Sequence, residues 1–189
     1  MPSIKLLFIL LLLSPLTSQA AIQATDTEIF MLPAYCKARY GKSSPQEIKV
    51  WKKRLGHDFM HIHHFCNGLI LLNRTYMISD KKKRLSVSNQ AFREIIYTQK
   101  HAAPNFILQP AIAYYKGKIL ENLGKNDNAI KEYLSAIKLN PKYINSYVAL
   151  ASLYSQLGLK SDAINTIKKG LKYKPGSKKL KRKLKKLEG

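Results

Sequence analysis

The densest group of side chains able to do chemistry is a run of four histidines and one cysteine: His57, His61, His63, His64 and Cys66. Imidazole nitrogens and thiolates are ligands that Zn²⁺ and copper ions prefer, so His61, His63 and His64 are candidate metal ligands. His57, His61 and His64 would share one face of a helix that began before residue 57. Two other interpretations stay open: packing between helices with hydrogen bonds to the backbone, and a pH-sensitive or ligand contact.

No pattern typical of a catalytic site accompanies these histidines. The sequence has no His-Glu-x-x-His zinc motif, no Gly-x-Ser-x-Gly nucleophile elbow and no glycine-rich phosphate loop. Asp58 lies near the histidines, but a single acidic residue beside a histidine is common by chance. We therefore expect a protein that is not an enzyme and needs no cofactor.

The first twenty residues have the parts of a secretory signal peptide. Lys5 supplies a positive start, residues 6–13 form an unbroken apolar run, and Ser18 and Ala20 are the small residues that a signal peptidase recognises. The apolar run is too short to cross about 30 Å of hydrocarbon as a helix. We therefore expect cleavage after Ala20 and an exported protein, periplasmic or secreted, that is not integral to a membrane once the signal is removed.

The expected export bears on the state of the two cysteines, Cys36 and Cys66. Exported proteins meet an oxidising compartment, in which a Cys36–Cys66 disulfide can form and persist. The alternative is two separate buried thiols.

The chain between the signal and residue 109 is predicted to be helical. Residues 21–57 are interpreted as an N-terminal lead, mobile at its start, followed by short helices. One of these has a clear beginning, because Ser44 can cap it, Pro45 suits its first turn and Glu47 completes a capping box. Residues 58–109 are predicted to form a pair of helices.

The evidence for that pair is periodic. Apolar residues recur at steps of three and four over residues 62–76, and a second helix is expected over about 88–100. The lysine-rich residues 81–84 are expected to form a loop between the two helices.

A repeat of 34 residues in the C-terminal half is the most specific pattern in the sequence. Residues 110–141 align with residues 144–175 at this offset. The matched pairs are Leu123 with Leu157, Gly124 with Gly158, Ala129 with Ala163, Ile130 with Ile164, Lys138 with Lys172, and Pro141 with Pro175.

This pattern resembles the tetratricopeptide repeat, a helix pair with small residues where helices approach closely and bulky residues between them. The residues that fit are Gly117, Leu120, Ala129, Tyr133, Ala136, Tyr147, Leu150, Ala151, Tyr154, Ala163 and Gly170. Such pairs bury their apolar faces only by stacking. The resemblance implies an all-α fold of stacked antiparallel helix pairs, a tetratricopeptide-type α-solenoid, with repeats at residues 110–143 and 144–176.

The resemblance continues in weaker form on both sides. Residues 58–109 are expected to be a degenerate repeat, with Gly68, Ala91 and Ile95 at its small and bulky positions. Residues 177–189 are expected to be a basic capping helix, with leucines on one face and lysines on the others.

In the tetratricopeptide family, the first helix of each pair lines a concave surface that binds proteins. The residues at those positions are Tyr114, Lys118, Glu121, Asn122, Asn145, Val148, Ser152 and Ser155. Lys118 and Asn122 fit in part the family's clamp for a peptide's terminal carboxylate. The expected function is non-catalytic binding of another exported or cell-envelope protein or peptide.

The charge of the chain suggests a second kind of partner. Without the signal, the chain has 32 lysines and arginines and 11 acidic residues, which gives a net charge near +21. Eleven of these basic residues lie between Lys168 and Lys186. An anionic surface, such as lipid or an acidic polymer, is therefore an alternative partner, and a merely solvated helix is the other interpretation. Nucleic acid is not expected, since only Tyr173 is available there for base stacking.

Overall fold

The computed structural model describes residues 22–189, which form helices and no strand. The predicted signal and its cleavage point after Ala20 lie outside these residues. The α-helices are α1 (Asp26–Phe30), α2 (Ala34–Arg39), α3 (Pro45–Leu55), α4 (Ile62–Thr75), α5 (Lys81–His101), α6 (Gln109–Asn122), α7 (Asn126–Leu139), α8 (Ile144–Gln156), α9 (Lys160–Tyr173) and α10 (Lys178–Glu188). The all-α prediction is confirmed, since α4 to α9 pack as three successive antiparallel pairs.

The N-terminal lead, predicted to be mobile at its start, contains the short helix α1. Thr25 caps α1 and Glu28 completes a capping box with it. Glu28 also accepts hydrogen bonds from Arg74 of α4, at 2.6 and 3.0 Å. A capped helix with a long-range ion pair is held in place, although its sequence shows no apolar period.

Helix α3 begins as predicted. Ser44 and Glu47 form a capping box, and Pro45 occupies the first turn. Gly56 ends the helix with φ +57°, a backbone conformation that favours glycine. A short 3₁₀ turn, Gly56–Met60, then leads into α4.

Helix α5 begins at Lys81, so the predicted loop at residues 81–84 is helical instead. The Asp80 side chain accepts a hydrogen bond from the Lys83 backbone N–H at 2.6 Å and caps the helix. Lysine and arginine are good helix formers, and a basic run that follows a cap continues the helix. Gly68 of α4 packs against Ile95 of α5.

The repeats have the close helix contacts that their small residues suggest. A Cβ atom added to Gly117 would lie 2.5 Å from the buried ring of Tyr133, and one at Gly170 would lie 2.9 Å from the ring of Tyr147. Both tyrosines are fully buried. Small residues on one helix thus let the bulky residues of the next fill the space between them.

Helix α10 closes the C-terminal end of the stack. Leu180 and Leu187 are buried against the last repeat, while the basic side chains are mostly exposed. Within residues 22–189, no helix has both the length and the apolar character needed to span a bilayer.

Candidate protein-binding groove

The eight predicted groove residues all lie on α6 and α8, the first helices of the two repeats. Except for the adjacent Glu121 and Asn122, successive members of each set are three or four residues apart, which places each set on one helix face. All eight side chains are partly or fully exposed. The structure therefore presents two neighbouring helix faces that carry tyrosine, lysine, amide and hydroxyl groups.

Most polar groups on the α6 face already have partners within the protein. Lys118 Nζ lies 2.9 Å from Glu121 Oε2, and the Tyr133 hydroxyl donates to the same carboxylate. Asn122 Nδ2 donates to Thr75 Oγ1 at 2.8 Å, which links α6 to α4. Lys118 and Asn122 are thus engaged at the positions that partly match the family's carboxylate clamp.

Tyrosines form the apolar part of this surface. The ring of Tyr114 lies 4.8 Å from that of Tyr115 and 5.6 Å from that of Tyr143. Burial raises the pKa of Tyr114, Tyr115 and Tyr143, so these hydroxyls stay protonated and can donate hydrogen bonds at neutral pH. Tyr76 adds a ring that is 59 % exposed.

Sequence reasoning missed Tyr76, Tyr115 and Tyr143. Tyr76 and Tyr143 lie at helix boundaries, where the 34-residue pattern gives no matching aromatic residue.

The α8 face is neutral. The Ser152 hydroxyl donates to the Val148 carbonyl oxygen at 2.8 Å, so it is turned back onto its own helix. Ser155 is exposed. Asn145 Oδ1 accepts a hydrogen bond from Lys179 Nζ of α10 at 2.6 Å. This face thus offers small side chains and no charge of its own.

The N-terminal segment, residues 22–61, covers part of α4 next to this surface. Tyr35 of α2 stacks on Phe65 of α4 at 6.2 Å, and Phe65 in turn contacts Tyr115 of α6 at 5.7 Å. Burial, with Tyr115 and Tyr143 nearby, raises the pKa of Tyr35. The open part of the surface is therefore the part formed by α6 and α8, together with the exposed Tyr76 at the end of α4, and we call this part the groove.

Cys36 and Cys66 are joined at the centre of this covered region, with their Cα atoms 5.6 Å apart. Both cysteines are fully buried. The bridge attaches α2 to α4, and the hydrogen bond from the Tyr40 hydroxyl to Asn67 Oδ1 lies one helix turn further along α2.

Of the three histidines predicted as alternative metal ligands, the structure brings together His63 and His64, whose rings lie 4.0 Å apart, but not His61. His63 Nδ1 donates to the Met60 carbonyl at 2.8 Å, and His64 Nδ1 lies 2.7 Å from Glu94 Oε2. His61 packs instead beside His57 and His101, at ring distances of 5.8 and 5.7 Å. Within residues 22–189, no group of three or more His, Cys, Asp or Glu residues is arranged to hold a metal ion.

The start of α4 explains this separation. Gly56 and the 3₁₀ turn put His57 outside the helix, and His61 is the residue before its first turn. The helix face predicted for His57, His61 and His64 therefore does not form. Burial lowers the pKa of His63, which favours its neutral form.

The fold and the groove define a class of protein: an all-α stack of helix pairs with an exposed surface on its first helices. Family models for the tetratricopeptide repeat match residues 117–158 and residues 144–177. Together these models span residues 117–177, about a third of the chain, so this part of the chain carries tetratricopeptide repeats. The assignment of residues 58–109 to a degenerate repeat lies outside the matched range and stays a prediction.

Among solved structures, the chain is similar to one described as the first TPR of Spaghetti (RPAP3) bound to HSP90 peptide SRMEEVD. The two are 17 % identical, the match covers 65 % of this chain and 93 % of that chain, and the TM-score is 0.46. No curated protein matches the chain in sequence.

Proposed function

We propose that this protein is a non-catalytic scaffold that binds an extended segment of another protein in the groove formed by α6 and α8. The observation that carries the proposal is the pair of exposed, aligned faces on the first helices of two consecutive tetratricopeptide repeats. Repeat stacks of this kind use the surface formed along their repeats for binding. Tetratricopeptide proteins are typically scaffolds, not catalysts.

The composition of the groove suits a polypeptide ligand. The rings of Tyr76 and Tyr114 offer apolar area with few rotatable bonds, and their hydroxyls can pair with a backbone. Val148 and Ser155 leave room for a chain to lie across α8.

We place the partner among exported or cell-envelope proteins. Two features support this location: the signal-like residues 1–20 and the pairing of Cys36 with Cys66, which suits an oxidising compartment. N-terminal sequencing of exported protein tests it, with Ala21 as the expected first residue. An intact Met1 in a membrane fraction would contradict it.

A steric block of the groove tests the binding proposal. Ser152→Arg places a long side chain on the α8 face without removing a core contact, and Ser135→Arg makes the same change at an exposed position of α7. Peptides selected from a random display library on the mature protein serve as probes. We expect Ser152→Arg to weaken their binding about tenfold or more and Ser135→Arg to leave it unchanged, as measured by fluorescence anisotropy. Equal binding by both variants would refute the groove.

A further inference from the structure

Helix α10 has the position of a first helix in a third, incomplete repeat. It packs against both α9 and α8, just as α8 packs against both α7 and α6. The offset of 34 residues relates Ser146 of α8 to Leu180 of α10, and both are fully buried. The terminal helix therefore continues the row of first helices, and the repeat geometry extends one helix beyond the second repeat.

This register identifies the groove-facing residues of α10. The same offset takes Asn145 to Lys179, Val148 to Arg182, and Ser152 to Lys186. A direct contact supports the register, because Lys179 Nζ lies 2.6 Å from Asn145 Oδ1. All three basic side chains are exposed and lie three or four residues apart, so they share one helix face.

The three helices give the groove a charge gradient. On α6, Lys118 is paired with Glu121, and the α8 face is neutral. On α10 the acidic residue is Glu188, which lies 3.5 Å from Lys168 of α9. Lys179, Arg182 and Lys186 therefore form a cationic end to a groove that begins with tyrosines.

We propose that the partner of this groove is an acidic polypeptide segment whose Asp and Glu side chains contact Lys179, Arg182 and Lys186. The proposal rests on the proposed function, since it names the chemistry of the segment that the groove binds. Apolar or aromatic residues of the same segment lie over Tyr76 and Tyr114. The contacts are to acidic side chains and not to a chain-terminal carboxylate, because Glu121 already neutralises Lys118 and Asn122 already donates to Thr75. Lys179 contacts only the neutral Asn145, so its charge is not compensated by that contact.

A polypeptide fits this surface better than a lipid bilayer does. Leu180 and Leu187 are buried against the last repeat, so a docked α10 has no exposed leucine face to insert into lipid. Lys179, Arg182 and Lys186 lie instead on the same side of the stack as the groove residues of α8 and α6, according to the repeat register.

Helix α10 supplies its own matched control for the test. The test variant changes Lys179, Arg182 and Lys186 to Glu, and the control variant changes Lys178, Lys181 and Lys185 to Glu. Both alter the net charge equally, on the same helix, at exposed positions, and both keep the three leucines. Thermal unfolding monitored by circular dichroism verifies that both variants are folded.

The probe is a fluorescein-labelled peptide of twelve residues with two tyrosines, six glutamates and an amidated C terminus. At physiological salt, we expect the test variant to bind it about tenfold more weakly than the native chain, and the control variant within about twofold. A free C-terminal carboxylate on the peptide should not change its affinity.

Other outcomes overturn the proposal in distinguishable ways. Equal losses in the two variants would mean that the tail attracts polyanions without orientation. Heparin or phosphatidylglycerol vesicles bound more tightly than the peptide, with equal losses in both variants, would assign the tail to an anionic surface. Ser152→Arg could weaken the binding of display-selected peptides while the test variant binds the acidic peptide as well as its control does. That result would support binding in the groove and refute the preference for an acidic segment. If Ser152→Arg has no effect on any peptide, the proposed function itself fails.

Discussion

The two halves of the described chain are held together by different means. Residues 109–175 form two regular helix pairs, and in each pair a glycine of one helix packs against a buried tyrosine of the other. Residues 22–108 combine the α4–α5 helix pair with short N-terminal helices, a cysteine bridge, the Glu28–Arg74 ion pair and an aromatic stack around Tyr35. The regular half obtains its shape from repetition, whereas the irregular half needs specific cross-links.

This contrast has a functional consequence. The groove lies on the regular half, where each first helix repeats the spacing of the one before it. Within the irregular half, the N-terminal segment, residues 22–61, covers part of α4, so it defines where the open surface begins. Regular packing supplies the binding surface, and the cross-linked segment limits it.

The largest expected effect comes from removing the cross-link. Replacing Cys36 and Cys66 together with Ala opens a loop with a sequence separation of 30. We expect a loss of about 3.5 kcal/mol, located mainly in the N-terminal half, because the bridge restricts the unfolded state of that segment. Hydrogen exchange should show faster exchange in α1 to α3 and unchanged protection in α8 and α9. A uniform loss across the chain would contradict the division into two halves.

A second prediction compares glycines that pack between helices in the two halves. Gly117→Ala places a Cβ atom 2.5 Å from the rigid, buried ring of Tyr133. Gly68→Ala meets Cδ1 of Ile95 at 2.8 Å, the flexible end of a side chain that can shift. We expect Gly117→Ala to destabilise the protein by about 2 kcal/mol. Gly68→Ala should change stability by less than about 1 kcal/mol, since helix propensity offsets part of the strain.

Urea unfolding of both variants measures this difference. If Gly68→Ala destabilises the protein as much as Gly117→Ala does, the α4–α5 and α6–α7 pairs are equally unable to accommodate an added methyl group, which contradicts the prediction.

The smallest expected effect is the pH dependence of the N-terminal segment. A hydrogen bond from Arg74 is the main reason that the pKa of Glu28 falls from 4.5 to about 2. A lowered carboxyl pKa stabilises the fold above the ordinary pKa, and this contribution is lost as the pH falls from about 4.5 to about 2. The pair is partly exposed, so its contribution is below about 1 kcal/mol.

The carboxyl ¹³C shift of Glu28 at pH 3 measures this directly. Glu28 should be ionised in the native chain and mostly protonated in Arg74→Met. A midpoint near pH 4.5 in the native chain would show that the ion pair does not form in solution.

The regular half was predictable because its information is local and repeated. The 34-residue offset located α6 to α9, and the family pattern placed Tyr114 and Ser152 on the first helices of the two repeats. The N-terminal half was less predictable, because Tyr35, Phe65 and Tyr115 meet over sequence separations that no periodic pattern records. Residues 81–84 were misassigned for a different reason, since their charge suggested a loop while the Asp80 cap favoured a helix.

The groove itself was only half visible in the sequence. The pattern indicated the faces of α6 and α8 but not Tyr76 or Tyr143, which lie at helix boundaries. The sequence also presented α10 as a capping helix or an anion-binding surface, and not as part of the groove. The contact between Lys179 and Asn145 was needed to show that this helix continues the groove.

The most direct test of the account is a map of where a bound segment protects the protein. Hydrogen exchange of the mature chain would be compared with and without a display-selected peptide. We predict added protection in α6, α8 and α10, and none in α7 or α9. Protection confined to α7 and α9, or to the N-terminal segment, would contradict the assignment of binding to the groove.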